Sequence, residues 1–291
     1  MQPNRELNRQ TGRTVSPPGM PENIFESILT SVAANPLLAP AHPVRVGCAG
    51  WNIPRQAIAE FAPARNHLER YSRVFDCCEI NSSFYRPHKK ETWERWAHSV
   101  PPGFQFSVKA PRTITHEAKL NCNPGMLSAF LEQIKLLRDK LGPILFQLPP
   151  SFGFDHARAR EFLSLLRTNY SGDVVWEARH ASWFDVQADD LLGEFQIARV
   201  AADPACVPAA RQPGGLANLA YFRLHGSPRR YFSSYSGDFL NTLAAQLAIL
   251  GERARVWCVF DNTGSGAAIQ NALELATKLG QVAGNTMVET H

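Results

Sequence analysis

The chain has 291 residues, 44% of them apolar, and its 30 basic and 26 acidic side chains leave a net charge of +4. That supplies a core for one large or two medium domains and excludes global disorder. The mild positive charge admits an anionic ligand without by itself indicating nucleic acid, and no run of about 18 apolar residues offers a membrane span.

Residues 1–43 stand apart from the rest. Residues 1–20 are rich in Asn, Arg, Gln and Pro and read as a flexible tail. They lack an apolar signal core, so secretion is not indicated and a cytoplasmic location is expected. From Pro21 to Asn35, the residues Ile24, Phe25, Ile28, Leu29 and Val32 recur at helical spacing and predict a short amphipathic helix. Pro36, Pro40 and Pro43 then mark a linker. The six cysteines (Cys48, Cys77, Cys78, Cys122, Cys206, Cys258) form no C-x-x-C pair and read as reduced thiols.

Residues 44–291 read as a single domain of regular alternation. Apolar runs predict strands at Val44–Ala49, Cys77–Phe84, Phe104–Ala110, Pro143–Leu148, Val174–Arg179, Ala198–Asp203, Leu219–His225 and Val256–Asp261. Helical patterns fill His67–Phe75, Glu91–His98, Met126–Lys140, Ala157–Thr168, Ala188–Phe195, Phe239–Leu250 and Ala267–Lys278. The connection from Pro204 to Leu216 carries Pro and Gly but no helical pattern, and reads as a loop. Eight strand–helix units in an α/β chain predict a TIM-type (β/α)8 barrel of parallel strands with an N-terminal extension. A doubly wound open sheet is the alternative, but no Gly-x-Gly-x-x-Gly follows the first strand to bind a nucleotide cofactor.

Alternate residues of a strand share a face. One face of these strands is mostly apolar and belongs against the helices. The other carries Glu79 and Asn81 on strand two, Gln105, Ser107 and Lys109 on strand three, and Gln147 on strand four. It continues with Glu177 and Arg179 on strand five, Asp203 on strand six, Tyr221, Arg223 and His225 on strand seven, and Asp261 on strand eight. Barrel interiors are ordinarily filled by Val, Ile and Leu, and barrel enzymes place their chemistry at C-terminal strand ends. Gln105, Ser107 and Asn81 read first as members of an internal hydrogen-bond network. Charges cost several kcal/mol each to bury unpaired, so Lys109, Glu177, Arg179, Arg223 and His225 read first as functional.

Glu177 and His225 are the candidates for general base and acid. Lys109, Arg179 and Arg223 suit an anionic group. Glu79, Asp203 and Asp261 are the residues to orient the acid and base; they are also of the type that holds a divalent cation, although no ligand spacing selects a metal and none is assigned. In the loops, His116, Tyr231 and Tyr235 are candidate substrate contacts, and Trp183 reads as a loop anchor. Gly264 to Gly266 offers backbone N–H groups ahead of the last helix. Ser182 and Ser227 lack the Gly-x-Ser-x-Gly of a nucleophile elbow.

Several segments are distinctive as a set: Val46-Gly47-Cys48-Ala49-Gly50-Trp51, Glu79-Ile80-Asn81-Ser82-Ser83-Phe84-Tyr85, Phe106-Ser107-Val108-Lys109-Ala110-Pro111, Phe146-Gln147-Leu148-Pro149-Pro150, Glu177-Ala178-Arg179-His180-Ala181-Ser182-Trp183 and Tyr221-Phe222-Arg223-Leu224-His225-Gly226. In this order they resemble domain of unknown function 72, the YecE-like family, over roughly residues 44–280. The resemblance implies a TIM-type barrel. It implies no activity, so no catalytic role comes with it.

Three function classes stay open. The first is an enzyme of hydrolase, isomerase or lyase type acting by acid–base chemistry on a small anionic polar substrate at the C-terminal barrel mouth. The second is a nucleic-acid binding or processing protein, suggested by the basic and aromatic segment Arg229–Tyr235. The third is a non-catalytic small-ligand binding protein using the same pocket.

Overall fold

The computed structural model describes residues 41–121 and 123–281. The helix expected between Pro21 and Asn35, the tail and most of the linker lie outside the described residues. Eight parallel strands form a closed barrel: β1 (Val44–Ala49), β2 (Cys77–Ile80), β3 (Gln105–Lys109), β4 (Leu141–Gln147), β5 (Val174–Glu177), β6 (198–203), β7 (Leu219–Leu224) and β8 (Arg255–Phe260). Strand β6 comes in two pieces, and these close the ring. Ala198–Arg199 pairs with β5, and Ala201–Asp203 pairs with β7. The remaining neighbours pair in parallel from β7 through β8, β1, β2, β3 and β4 to β5.

Six α-helices lie between strands and a seventh follows β8: α1 (His67–Tyr71), α2 (Lys90–His98), α3 (Pro124–Ile134), α4 (His156–Asn169), α5 (Val186–Glu194), α6 (Gly237–Gly251) and α7 (Ala267–Lys278). Polar residues mark many of their starts. The side chains of Asn66, Asn123, Asp155, Asp185 and Ser236 each accept a backbone N–H in the first turn, a cap that contributes about 1 kcal/mol. The β6–β7 connection has no α-helix. It holds a short 3-10 turn, Pro208–Arg211, and a two-residue strand, Gly214–Gly215, pairing antiparallel with β6. No helix among the described residues is long and apolar enough to cross a membrane.

The alternation along the strands sorts side chains into two cores. Cys78, Ile80, Phe106, Val108, Phe146, Trp176, Phe222 and Phe260 belong to the layer shared with the helices. Cys77, Leu145, Val175, Ala198, Val200, Tyr221, Trp257 and Val259 fill the barrel itself. Towards the C-terminal strand ends this inner filling gives way to charge. One expectation needs correcting. Strand two does not run to Phe84. It ends at Ile80, where Ser82–Phe84 turns into a 3-10 helix. Ser83 fixes that turn by donating to the backbone oxygens of Ile80 and Lys109, at 3.0 and 2.7 Å. Asn81 therefore sits at the strand end rather than within the strand.

Candidate active site

Arg223 is the centre of the polar interior. Its side chain comes from β7, is fully buried, and meets three carboxylates: Glu79 of β2, Glu177 of β5 and Asp261 just past the end of β8. Nε donates to Glu79 Oε2 at 3.0 Å, and NH2 donates to Glu79 Oε1 at 2.6 Å. NH1 donates to Glu177 Oε2 at 2.6 Å, and NH2 also reaches Asp261 Oδ2 at 3.0 Å. Tyr221, two residues earlier on the same face, donates to Glu79 Oε2 at 3.0 Å and accepts from the Ser107 hydroxyl at 2.9 Å. The guanidinium is thus the counterion of the carboxylates. Four of its five N–H groups are spent on them and the group is sealed from solvent, so it does not face a substrate anion, contrary to the expectation from sequence.

His225 lies just beyond. Its Nδ1 is 3.0 Å from Asp261 Oδ2, and its Nε2 is 3.0 Å from both Glu177 Oε1 and Arg179 NH2. Arg179 also pairs with Glu177 Oε1 at 2.7 Å. The ring is therefore satisfied in two protonation states. An N–H on Nδ1 donates to Asp261 in both. Nε2 accepts from Arg179 when bare and donates to Glu177 when protonated.

Electrostatics separates the groups. Burial pushes the Glu177 carboxyl up, but Arg179, Arg223 and His225 outweigh it and hold it well below the usual carboxylate range. Asp261 follows the same pattern: burial raises it, and Arg223 and the His225 hydrogen bond bring it below its ordinary value. Lys109 goes the other way. Burial, then the Arg223 charge, bring its amine down to about 8, against the weaker upward pull of Glu79, Glu177 and Asp261.

The outer edge of the cluster carries unspent groups. Lys109 Nζ makes no hydrogen bond or ion pair among the described residues and rests 4.3 Å from the centre of the Phe84 ring. Gln147, 8% exposed, likewise has no side-chain hydrogen bond among the described residues. Buried atoms Arg179 Nε and Asn81 Oδ1 lack partners, although Asn81 Nδ2 reaches Asp261 Oδ1 at 3.4 Å. His116, in the turn after β3, packs edge-on against Phe84 at 5.0 Å and bonds Thr115. Burial and the Lys109 charge lower its basicity. Tyr231 stands above, 41% exposed, with its ring 5.9 Å from that of His225.

Other candidates take different places. Tyr235 is buried against Phe239, and its hydroxyl donates to Asp203 Oδ2 at 2.9 Å while accepting from Gly226 N at 2.9 Å. It joins the β6 end to the β7 loop, and it occupies Asp203 as it does so; neither residue faces the Lys109 edge as a free ligand group. Trp183 is fully buried and donates to the Phe152 oxygen at 3.0 Å, as an anchor does. The Gly264 and Gly266 N–H groups are spent on the backbone oxygens of Tyr231 and Thr263, which leaves them nothing to offer an anion. Sequence reasoning left out Tyr221 and Phe84 as site members. Tyr221 shares parity with Arg223, and that signal was legible. Phe84 was hidden by the misplaced end of strand two.

Surface depressions of about 250 and 310 Å³ lie against His156, Arg160 and Glu194, and against Trp51, His67 and Trp96. Neither is lined by the charged residues. Among the described residues, no group of three or more His, Cys, Asp and Glu side chains is arranged to hold a metal ion; Arg223 fills the point where the three carboxylates converge.

Fold and site together define a class: a closed parallel (β/α)8 barrel with a buried ionic network at the C-terminal ends of its strands. Its family follows from comparison with known proteins. Residues 45–290 match the family described as Protein of unknown function DUF72, and the chain belongs to that family. The UPF0759 protein YecE of Escherichia coli (strain K12) is 32% identical over 150 residues, which cover 50% of this chain and 54% of that relative. This chain therefore spans about half the length of that curated relative. The UPF0759 protein YunF of Bacillus subtilis (strain 168) is 24% identical over 266 residues, 80% of this chain and 93% of YunF. The crystal structure of a DUF72 family protein from Thermotoga maritima superposes with a TM-score of 0.70 at 28% identity, covering 82% of this chain and all of the other. A family of unknown function brings no reaction with it.

Proposed function

We propose that the C-terminal barrel mouth is the active site of a cytoplasmic enzyme that performs acid–base chemistry on a small anionic polar substrate. The observation that carries this reading is the setting of His225, whose Nε2 faces a carboxylate and a guanidinium at equal distance while Asp261 fixes its other nitrogen. Such a ring takes and returns a proton without losing a partner in either state. Glu177 is too weak a base for the proton transfer itself, because its neighbours hold it ionised. Its role is to orient and charge the imidazole.

Arg179 is the anion contact. Its NH2 covers His225 Nε2, and its Nε is unspent. An anion that draws Arg179 outward uncovers Nε2 for the substrate. Lys109 and Gln147 flank the approach from β3 and β4. Five free thiols among the described residues, four of them buried, fit a reducing compartment.

Thermal-shift measurements against inorganic phosphate, sugar phosphates and small carboxylates test the reading. A binder at 100 times its Kd stabilises the folded state by about 2.7 kcal/mol. The expected result is a stabilising anion whose effect disappears in Arg179→Gln. Stabilisation by oligonucleotides alone, sensitive to salt and lost when Arg229 and Arg230 become Ala, would replace this reading with nucleic-acid binding.

A further inference from the structure

Two lysines are buried among the described residues, and they differ. Lys140, 7% exposed, pairs with Asp139 at 3.0 Å. Lys109, 9% exposed, has no pair among the described residues, although Glu79 on neighbouring β2, Glu177 on β5 and Asp261 just past β8 all act on its charge. Those carboxylates are committed to Arg223, Arg179 and His225. The chain is sparing with lysine, carrying seven against 23 arginines. An arginine at 109 would stay charged and serve an anion as well as its neighbours do. Lysine differs in one respect: its amine loses a proton readily and becomes a nucleophile when desolvated beside another cation.

The approach to Lys109 has the groups a carbonyl compound needs. Phe84 gives the aliphatic stem and amine an apolar floor. The register of β3, β4 and β5 sets Lys109 against Leu145 and Gln147 against Glu177, and Arg179 follows two residues beyond Glu177, where it pairs with that carboxylate. Arg179 is suited to a carboxylate or phosphate on the substrate, and the Gln147 amide to its hydroxyl or carbonyl oxygen. His116 packs edge-on against the same Phe84 ring at 5.0 Å, which puts an imidazole beside the amine.

We propose that Lys109 captures a small anionic aldehyde or ketone as a Schiff base at the barrel mouth. The assignment rests on the anion-binding reading of the mouth given above and names its substrate class. The Nζ lone pair forms the C–N bond as the carbonyl π pair moves to oxygen. One N–H proton transfers to that oxygen. A second proton, drawn from solvent through His116, converts the hydroxyl into the departing water while the nitrogen lone pair completes the C=N bond. The product is a protonated imine, an electron sink for the carbon beside it, and His225 is the base that uses this sink.

The groups facing Lys109 also set when it reacts. Burial, then the charge of Arg223 from β7, favour the neutral amine, and Glu79, Glu177 and Asp261 oppose them. The net effect leaves the amine substantially neutral near pH 8.

Glyoxylate with cyanoborohydride, followed by peptide mass mapping of the intact wild-type chain, tests the proposal. The hydride reduces the imine to a stable secondary amine, and the other lysines are internal controls. The expected result is labelling of Lys109 on the order of tenfold faster than any exposed lysine at pH 7, with its rate levelling near pH 8 while theirs keep rising. Lys109→Arg should lose that fast adduct and retain the slow ones. Labelling of Lys109 no faster than the surface lysines, or none at all, overturns covalent capture. Glyoxylate is scored in parallel by thermal shift, with Arg179→Gln as control. A shift lost in that variant without an adduct sinks the Schiff base and leaves the anion site standing. An adduct without an Arg179-dependent shift does the reverse.

Discussion

Replacing Arg223 with Met removes the counterion shared by Glu79, Glu177 and Asp261 and leaves a side chain of similar reach. Four hydrogen bonds at 2.6–3.0 Å disappear, all among groups sealed from solvent or nearly so. Removing one member of a buried pair costs about 3–5 kcal/mol, because the partner stays behind uncompensated. At roughly 2–4 °C per kcal/mol for a domain of this size, the melting temperature should fall by roughly 10–15 °C. The pH dependence identifies the cause. In the wild type Glu177 and Asp261 sit below the ordinary carboxylate range, since their cationic neighbours outweigh burial. Their stabilisation is present above the unfolded value, about 4, and is lost as pH falls through the folded ones. Without Arg223, burial dominates Asp261 and its folded value rises above the unfolded one. Its contribution then reverses sign: it is present below about pH 4 and lost as pH rises through the new folded value. The difference in unfolding free energy between variant and wild type, from guanidinium titrations, should therefore grow between pH 4 and 7. A variant within about 1 kcal/mol of wild type, or a larger loss that is flat with pH, would refute the counterion account.

Tyr71 joins β1 to β2 by accepting from Cys48 N at 2.8 Å and donating to the Cys77 oxygen at 2.9 Å. Tyr71→Phe leaves both backbone groups short of a partner and should cost about 1–3 kcal/mol in chemical denaturation, without altering anion binding. Burial pushes the thiols of Cys48, Cys77, Cys78 and Cys258 up. A disulfide reagent should modify exposed Cys206 in the folded protein and reach those four only on unfolding; their rapid modification under native conditions would contradict the packed barrel.

The barrel was legible because its strands are short apolar runs punctuated by Pro, Gly and polar ends, and β1 and α7 fall on their expected residues. Alternation also showed which face each polar residue takes, since Glu79, Lys109, Glu177 and Arg223 all point inward. Parity gives a face but not a partner. Glu79 and Arg223 are 144 positions apart, and only barrel closure shows that one guanidinium serves three carboxylates. The run Cys77–Phe84 does carry a turn signal in Asn81-Ser82-Ser83, which argues against a strand beyond Ile80; what the pattern does not reveal is the tertiary contact that fixes the turn, Ser83 bonding to β3. Tyr235 is a second residue whose place is decided by a tertiary contact. A tyrosine in a polar loop looks alike whether its hydroxyl faces solvent or is tied to Asp203.

The central claim is that the polar mouth is kept for function at a cost in stability, and Lys109 tests it. Its folded value of about 8 lies below the unfolded one, near 10.4. Holding the charged amine in place therefore costs about 3 kcal/mol below pH 8, and that cost vanishes as pH rises past about 10. The measurement is the unfolding free energy of Lys109→Met against wild type from pH 6 to 10.5. The account predicts a variant more stable than wild type at pH 7, with the advantage fading towards pH 10. A variant less stable at pH 7 would mean that the Lys109 charge holds the carboxylate cluster together, and that the polar interior is structural.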